Sequence, residues 1–263
     1  MNTHPQTIAK DIAQGINALI AESDRFRDEN SPEVRLLSAS IEKLQKVDAR
    51  LAFISRGALA AVCGNVAEVL TCFQKAILLP EVEFTKHEFW ATFGNVGLYG
   101  KASELGSWLL EPRRNFFPSS WQRAFSFGQI LEVSERLPLA MKAYPELARN
   151  DYTLLNEVAA MMHSGHLNDH VLISILDLMG EIQRAHGVMF AGQDAAHAKV
   201  IAPPDDPPYL YLSMQIDADV VEIHAMNREL GRAIVERYPF GAFPEGLVAA
   251  FTKAHCQVLR AAA

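Results

Sequence analysis

Residues 50–80, RLAFISRGALAAVCGNVAEVLTCFQKAILLP, hold two apolar patterns of helical period that meet at Gly64-Asn65 and stop at Pro80. Apolar residues three and four apart share one face of a helix. A Gly-Asn pair between two such runs turns the chain, so the stretch is committed to an antiparallel helical hairpin. A lone hairpin cannot cover its own apolar faces, and the flanking sequence supplies neighbours. From Thr7 to Ser23, Ile8, Ile12, Ile16, Leu19 and Ile20 form a stripe. Ser31 is placed to cap a second helix, with Pro32 in its first turn and Glu33 at the positive end of its dipole. Val34, Leu37, Ile41 and Leu44 give that helix its buried face.

Within the hairpin, Phe53 is a large residue, Gly57 permits close helix packing, and Gly64 marks the turn; Phe73, Ala76 and Pro80 follow in order, with Val69 where a small residue is usual. Small residues let helices approach, large ones fill the gaps, and proline ends the unit. The pattern resembles a tetratricopeptide repeat, whose period is about 34 residues. Phe93-Gly94 and Phe127-Gly128 return at that interval. The resemblance implies a second unit from Lys86 to Pro112 turning at Gly100, and a third from Ser119 to Arg149 turning near Pro138. The third lacks a turn glycine, and Pro145 would interrupt its second helix. A fourth hairpin, Asp151 to His186, rests on periodicity through Leu154, Val158 and Met161, then Leu172, Ile175, Leu176 and Met179, with Gly187 as its C-terminal cap. The expected fold is therefore mainly α: stacked antiparallel hairpins in a right-handed array over residues 1–186.

The composition changes after Gly187, and residues 187–263 read as a small α+β domain. Val188–Ala191 and Lys199–Ala202 are short strand candidates, and PPDDPP at 203–208 excludes a helix. Tyr209–Ile216 alternates with period two, placing Leu210, Leu212, Met214 and Ile216 on one apolar face. Asp217 is read as the cap of a helix reaching Tyr238, in which Val220, Ile223, Leu230 and Ile234 face inward; a last helix follows at Pro244–Leu259. A single good strand must pair with the weaker candidates or with another chain, and the second option suggests homodimerisation through this domain.

Helical arrays of this kind bind along a concave surface. With Gly57, Gly94 and Gly128 taken as equivalent, the resemblance implies a groove formed by Leu51, Ile54, Ala58, Glu88, Asn95, Leu98, Tyr99, Gln122, Phe125 and Gln129. Ala61, Ala91 and Glu132 accompany them. Family members that grip a terminal carboxylate use Lys or Arg with Asn, and only Asn95 fits. The expected partner is thus a protein presenting an apolar or amphipathic peptide or helix, and the expected role is adaptor, chaperone-like or regulatory.

Chemical alternatives are fewer. HSGHLNDH brings His163, His166, His170 and Asp169 together in sequence, the ligand types of zinc, and would suit a metal-dependent hydrolase. Ser164-Gly165 and Asn168-Asp169 read instead as a turn and a cap, which leaves the histidines facing solvent. Glu222 and His224, with Asp217 and Asp219, admit acid–base chemistry, but residues two apart point to different helix faces. Arg113-Arg114 beside Asn115, Phe116, Phe117 and Trp121 could stack bases. A net charge of −7 argues against general nucleic-acid binding. No catalytic glycine-rich or GxSxG pattern appears, and no cofactor is expected. The three cysteines, Cys63, Cys72 and Cys256, form no framework and suit a reducing compartment. The N-terminus has no basic leader with an apolar run, and no stretch reaches about 18 apolar residues, so the expected setting is cytoplasmic, with no membrane contact.

Overall fold

The computed structural model describes residues 5–22, 25–112, 116–189, 196–238 and 242–254. Its helices are α1 (Pro5–Glu22), α2 (Pro32–Gln45), α3 (Ala49–Val62), α4 (Val66–Ala76), α5 (Val82–Asn95), α6 (Tyr99–Leu109), α7 (Phe117–Ser126), α8 (Ile130–Ala143), α9 (Thr153–Ser164), α10 (Asp169–Ala185) and α11 (Val220–Arg237). Several begin where a side chain can satisfy an orphan amide. Ser31 accepts from Val34, Asp48 from Leu51, Asn65 from Glu68 and Asn168 from Val171.

Three hairpins, α3/α4, α5/α6 and α7/α8, share one turn design. Gly64, Gly97 and Gly128 adopt φ of 71°, 71° and 83°, a region costly for residues with a Cβ. Each donates its N–H three residues back, while the following residue donates five back: Asn65 to Ala60, Leu98 to Phe93, and Gln129 to Ala124. These paired bonds are the Schellman ending of a helix. The second turn therefore lies at Gly97, not Gly100, which belongs to the first turn of α6. The third unit does have its turn glycine, Gly128. Pro138 is inside α8, and Pro145 opens a 3-10 turn after it.

Each hairpin packs on the next: α3 against α5, α4 against α5, α6 against α7 and α8 against α9. Gly57 is where α3 meets α5, since a Cβ there would come within 2.7 Å of the Phe89 ring. Gly94 likewise faces Phe127, whose ring would lie 2.7 Å or less from an added methyl. The fourth pair of helices appears where expected, with Gly187 at φ 64° ending α10, but it does not pack as a hairpin. α10 leaves α9 and packs on α6, α8 and α11.

The C-terminal part is a three-stranded sheet, β1 (Ala196–Ile201), β2 (Tyr209–Ile216) and β3 (Leu247–Lys253), in that spatial order. β1 pairs antiparallel with β2, with Ala196 opposite Met214; β3 pairs parallel, with Leu210 opposite Leu247. The inward face of β2 is as expected, with Leu210, Leu212, Met214 and Ile216 all buried. Three details differ from expectation. β1 begins earlier, Asp219 and not Asp217 caps α11 through the Glu222 amide, and residues 247–253 are a strand instead of a helix. Leu247 and Phe251 are buried and Val248 is exposed, and a parallel crossover through α11 returns the chain beside β2. Val188 makes only an isolated bridge to Arg25, and residues 190 and 191 lie outside the described residues.

β2 thus finds both neighbours within the chain, which removes the open strand that suggested dimerisation. The sheet packs on α7 and α9, and α11 on α10. One buried cluster runs from Ile54 and Phe89 through Trp121 and Leu172 to Leu212 and Phe251, so apolar burial is continuous across residue 187. A second cluster, including Ile12, Ile41, Leu44 and Leu59, joins α1, α2 and the back of α3. No described helix is long and apolar enough to cross a membrane.

Candidate functional site

α10 is an amphipathic helix whose polar residues do unusual work. Asp177, Gly180 and Arg184, spaced three and four apart, share one face. That face lies against the turn between α5 and α6. The Asp177 carboxylate accepts from the Gly100 amide at 3.0 and 3.2 Å, capping α6 from a distant part of the chain. Arg184 donates to the Val96 and Gly97 carbonyls at 2.7 and 2.8 Å, satisfying the end of α5. Between them the backbones meet. A methyl on Gly180 would stand 2.8 Å from the Gly97 carbonyl carbon and nearer still to its oxygen.

Asp169 repeats this arrangement at the next hairpin. Its carboxylate accepts from Ile130 at 3.0 Å, Leu131 at 2.9 Å and Glu132 at 3.0 Å, the first amides of α8. Neither α6 nor α8 has a cap from its own preceding residue, Leu98 or Gln129. The carboxylates on α10 supply what the local sequence lacks. Burial nevertheless dominates their titration. It raises both Asp169 and Asp177 above the ordinary value of 3.8, against the opposing pull of the backbone amides. Burial also lowers Arg184 and raises the buried Tyr99 phenol well above 10.0.

Beside these contacts is a partly open cleft of about 670 Å³ between α6, α8 and α10, with Arg237 at its edge. Leu98 and Ile173 give it apolar surface; Glu104, Glu132 and Glu181 add carboxylates. Gln129 is buried in its wall, donating to Glu132 at 2.7 Å and to the Ser103 carbonyl at 3.3 Å. The other end of the amide faces Gly106, where any Cβ would lie 2.8 Å from the Gln129 carboxamide carbon. Glu132 also accepts from Ser107 at 2.9 Å and pairs with Arg136 at 2.6 Å.

The groove expected from the sequence does not survive as one surface. Tyr99, Gln129 and Ile54 are buried. Leu51 and Ala58 pack on the second core cluster, beside α1 and α2. Glu88 and Phe125 are half-buried, and only Asn95 and Gln122 are exposed. Leu98 and Gln129 do meet, at the cleft, together with the accompanying Glu132. The displacement has a simple cause: Gly57 sits mid-helix, Gly94 near a helix end and Gly128 in a turn, so the three are not equivalent.

The histidine cluster also separates. His163 lies in the last turn of α9 and bonds the Ala159 carbonyl at 2.7 Å, His166 occupies the turn at φ 53°, and His170 lies in the first turn of α10. Asp169 is committed to α8. Among the described residues no group of three or more His, Cys, Asp or Glu side chains is placed to hold a metal ion. Glu222 pairs with Arg25 and His186, not His224. Arg113, Arg114 and Asn115 lie outside the described residues, as does Cys256; Phe116 stacks on His87 with centroids 5.1 Å apart. Burial pushes the Cys63 thiol up to about 11 and Cys72 up to about 12, so both are poor nucleophiles.

Asp177, Gly180 and Arg184 escaped the sequence reading because their partners are backbone atoms, which no spacing rule reveals. A signal existed in Asp177, which lies between Leu176 and Leu178 in an otherwise apolar stretch. Comparison with protein-family models, with curated proteins and with solved structures gives no match.

Proposed function

We propose that the chain is a tetratricopeptide-like scaffold that binds another protein, its cleft between α6, α8 and α10 receiving an amphipathic segment of that partner. The make-up of the cleft carries this reading. Its volume of about 670 Å³ lies within the usual span of binding pockets, roughly 300–1,000 Å³. Leu98 and Ile173 offer apolar contact. Lys101, Arg184 and Arg237 also line the cleft, but Lys101 pairs with Glu104, Arg136 with Glu132, and Arg184 bonds backbone carbonyls. Glu181 with these carboxylates therefore favours basic side chains on the incoming segment. Its deepest carboxylates, Asp169 and Asp177, are spent on helix ends. The repeated Schellman turns at Gly64, Gly97 and Gly128 support the repeat reading as part of the same proposal.

The test uses a labelled 18-residue Leu/Lys amphipathic helical peptide and its Leu/Glu counterpart, followed by fluorescence anisotropy with the full chain. The Lys peptide should bind and the Glu peptide should not. Glu104→Lys with Glu181→Lys should weaken binding at least tenfold, whereas Glu33→Lys with Glu42→Lys, on α2, should not. Equal loss from both pairs would reduce the binding to general charge attraction and defeat the cleft assignment.

A further inference from the structure

Arg25, His186, Glu222 and Glu229 come from three separated parts of the chain and meet on one side of α11. Glu222 and Glu229 are seven residues apart and so lie two turns along the same helix face. His186, just past the end of α10, sits between them. Its Nε2 is 3.2 Å from both Glu229 carboxylate oxygens, and its Nδ1 is 3.5 Å from Glu222 Oε1. Arg25 grips Glu222 with both terminal nitrogens, one of them at 2.8 Å, and donates to the His186 carbonyl at 3.0 Å. The backbone joins in: the Phe26 amide donates to the Gly187 carbonyl at 3.0 Å, and Arg25 bridges Val188.

We infer that these four side chains form a protonation-sensitive clasp that fastens α11 to the end of α10 and the 25–28 segment, tightest with His186 as imidazolium. The reason is a donor count. An imidazolium has one N–H for each carboxylate, whereas the neutral ring has one N–H in all and turns a lone pair toward the second carboxylate. Glu222 and Glu229 from α11 and Arg25 from the N-terminal segment are the charged groups facing the ring; on α10 itself, Arg184 is turned to the α5 turn. With imidazolium the four charges cancel. With neutral imidazole one negative charge is left over. Glu222 keeps its charge throughout, because hydrogen bonding from Arg25 holds it below the ordinary carboxylate value. Protonation supplies the second N–H, so the clasp loosens as pH rises. The Glu229 side chain is 46% exposed, which keeps the effect within that of a surface pair, roughly two- to fivefold in opening equilibrium.

Amide exchange of the full chain, read by mass spectrometry at pH 5.5, 7 and 8 and corrected for intrinsic rates, tests this. Protection of Phe26 and of the first two turns of α11 should fall about two- to fivefold from pH 5.5 to 8. His186→Gln, whose carboxamide does not titrate, should flatten that slope, and Glu229→Gln should reduce it while leaving the fold untouched at an exposed position. A wild-type slope of zero, or an unchanged slope in Glu229→Gln, overturns the clasp. If His186→Gln folds, an unchanged slope there overturns it too.

Discussion

Gly180→Ala should be one of the most damaging single-methyl additions the chain can receive. In an open helix interior this exchange stabilises by about 1 kcal/mol, because alanine is the better helix former. At Gly180 the methyl would stand 2.8 Å from the Gly97 carbonyl carbon and 2.9 Å from its Cα, both backbone atoms that cannot rotate away. Overpacking of this kind costs roughly 1–3 kcal/mol. Moving α10 outward also stretches the Arg184 bonds to Val96 and Gly97 and the Asp177 bonds to Gly100. Hydrogen bonds to charged groups contribute about 1.5–3 kcal/mol each, so partial loss exceeds the propensity gain. The expected net loss is about 2–4 kcal/mol. Urea unfolding followed by far-ultraviolet circular dichroism measures it, with Gly231→Ala as the internal standard. Gly231 lies within α11 with nothing near its missing Cβ, so that variant should gain about 0.5–1 kcal/mol. Equal gains in both variants would refute the backbone contact between α10 and the α5/α6 turn.

Asp169→Ala should destabilise by about 1–3 kcal/mol, since three amides at the start of α8 lose their acceptor, and exchange of Ile130, Leu131 and Glu132 should accelerate selectively. Gly94→Ala should destabilise through its clash with Phe127; combined with Phe127→Leu the loss should be smaller than the sum of the two single losses, as chemical denaturation would reveal. Glu222 has a folded-state value below its ordinary 4.5, so its stabilisation is complete above 4.5 and lost as pH falls through the folded value. Melting temperatures of wild type and Glu222→Gln should therefore differ near neutrality and converge under acid.

Local features were readable and long-range ones were not. The stripe of Ile12, Ile16 and Leu19, the Ser31 cap and the Gly64 turn follow from rules that span a few residues, and all appear as expected. The inward face of β2 follows from a period of two. The hairpin units after the first were misregistered because glycines serve two purposes. Gly57 and Gly94 admit aromatic rings, while Gly97 and Gly128 adopt positive φ, and the letter is the same for both. LVAAFTK at 247–253 fits a helix or a strand by composition, and only its place beside β2 decides. The site suffered most. The repeat resemblance places Tyr99 and Gln129 in a groove, but α10 closing over the α5/α6 turn makes Tyr99 core and leaves the cleft beside it.

The remote capping of α6 and α8 bears on the order in which the chain can fold. In a simple solenoid each unit completes itself against its predecessor, so units can be removed from the end one at a time. Here α4 starts from its own Asn65, whereas α6 and α8 wait for Asp177 and Asp169, dozens of residues downstream. During synthesis the middle hairpins emerge with uncapped amides and settle only when α10 arrives. A chain cut after residue 168 would be left with two unfinished helix starts, so its middle hairpins should stay loose however many of their residues are present.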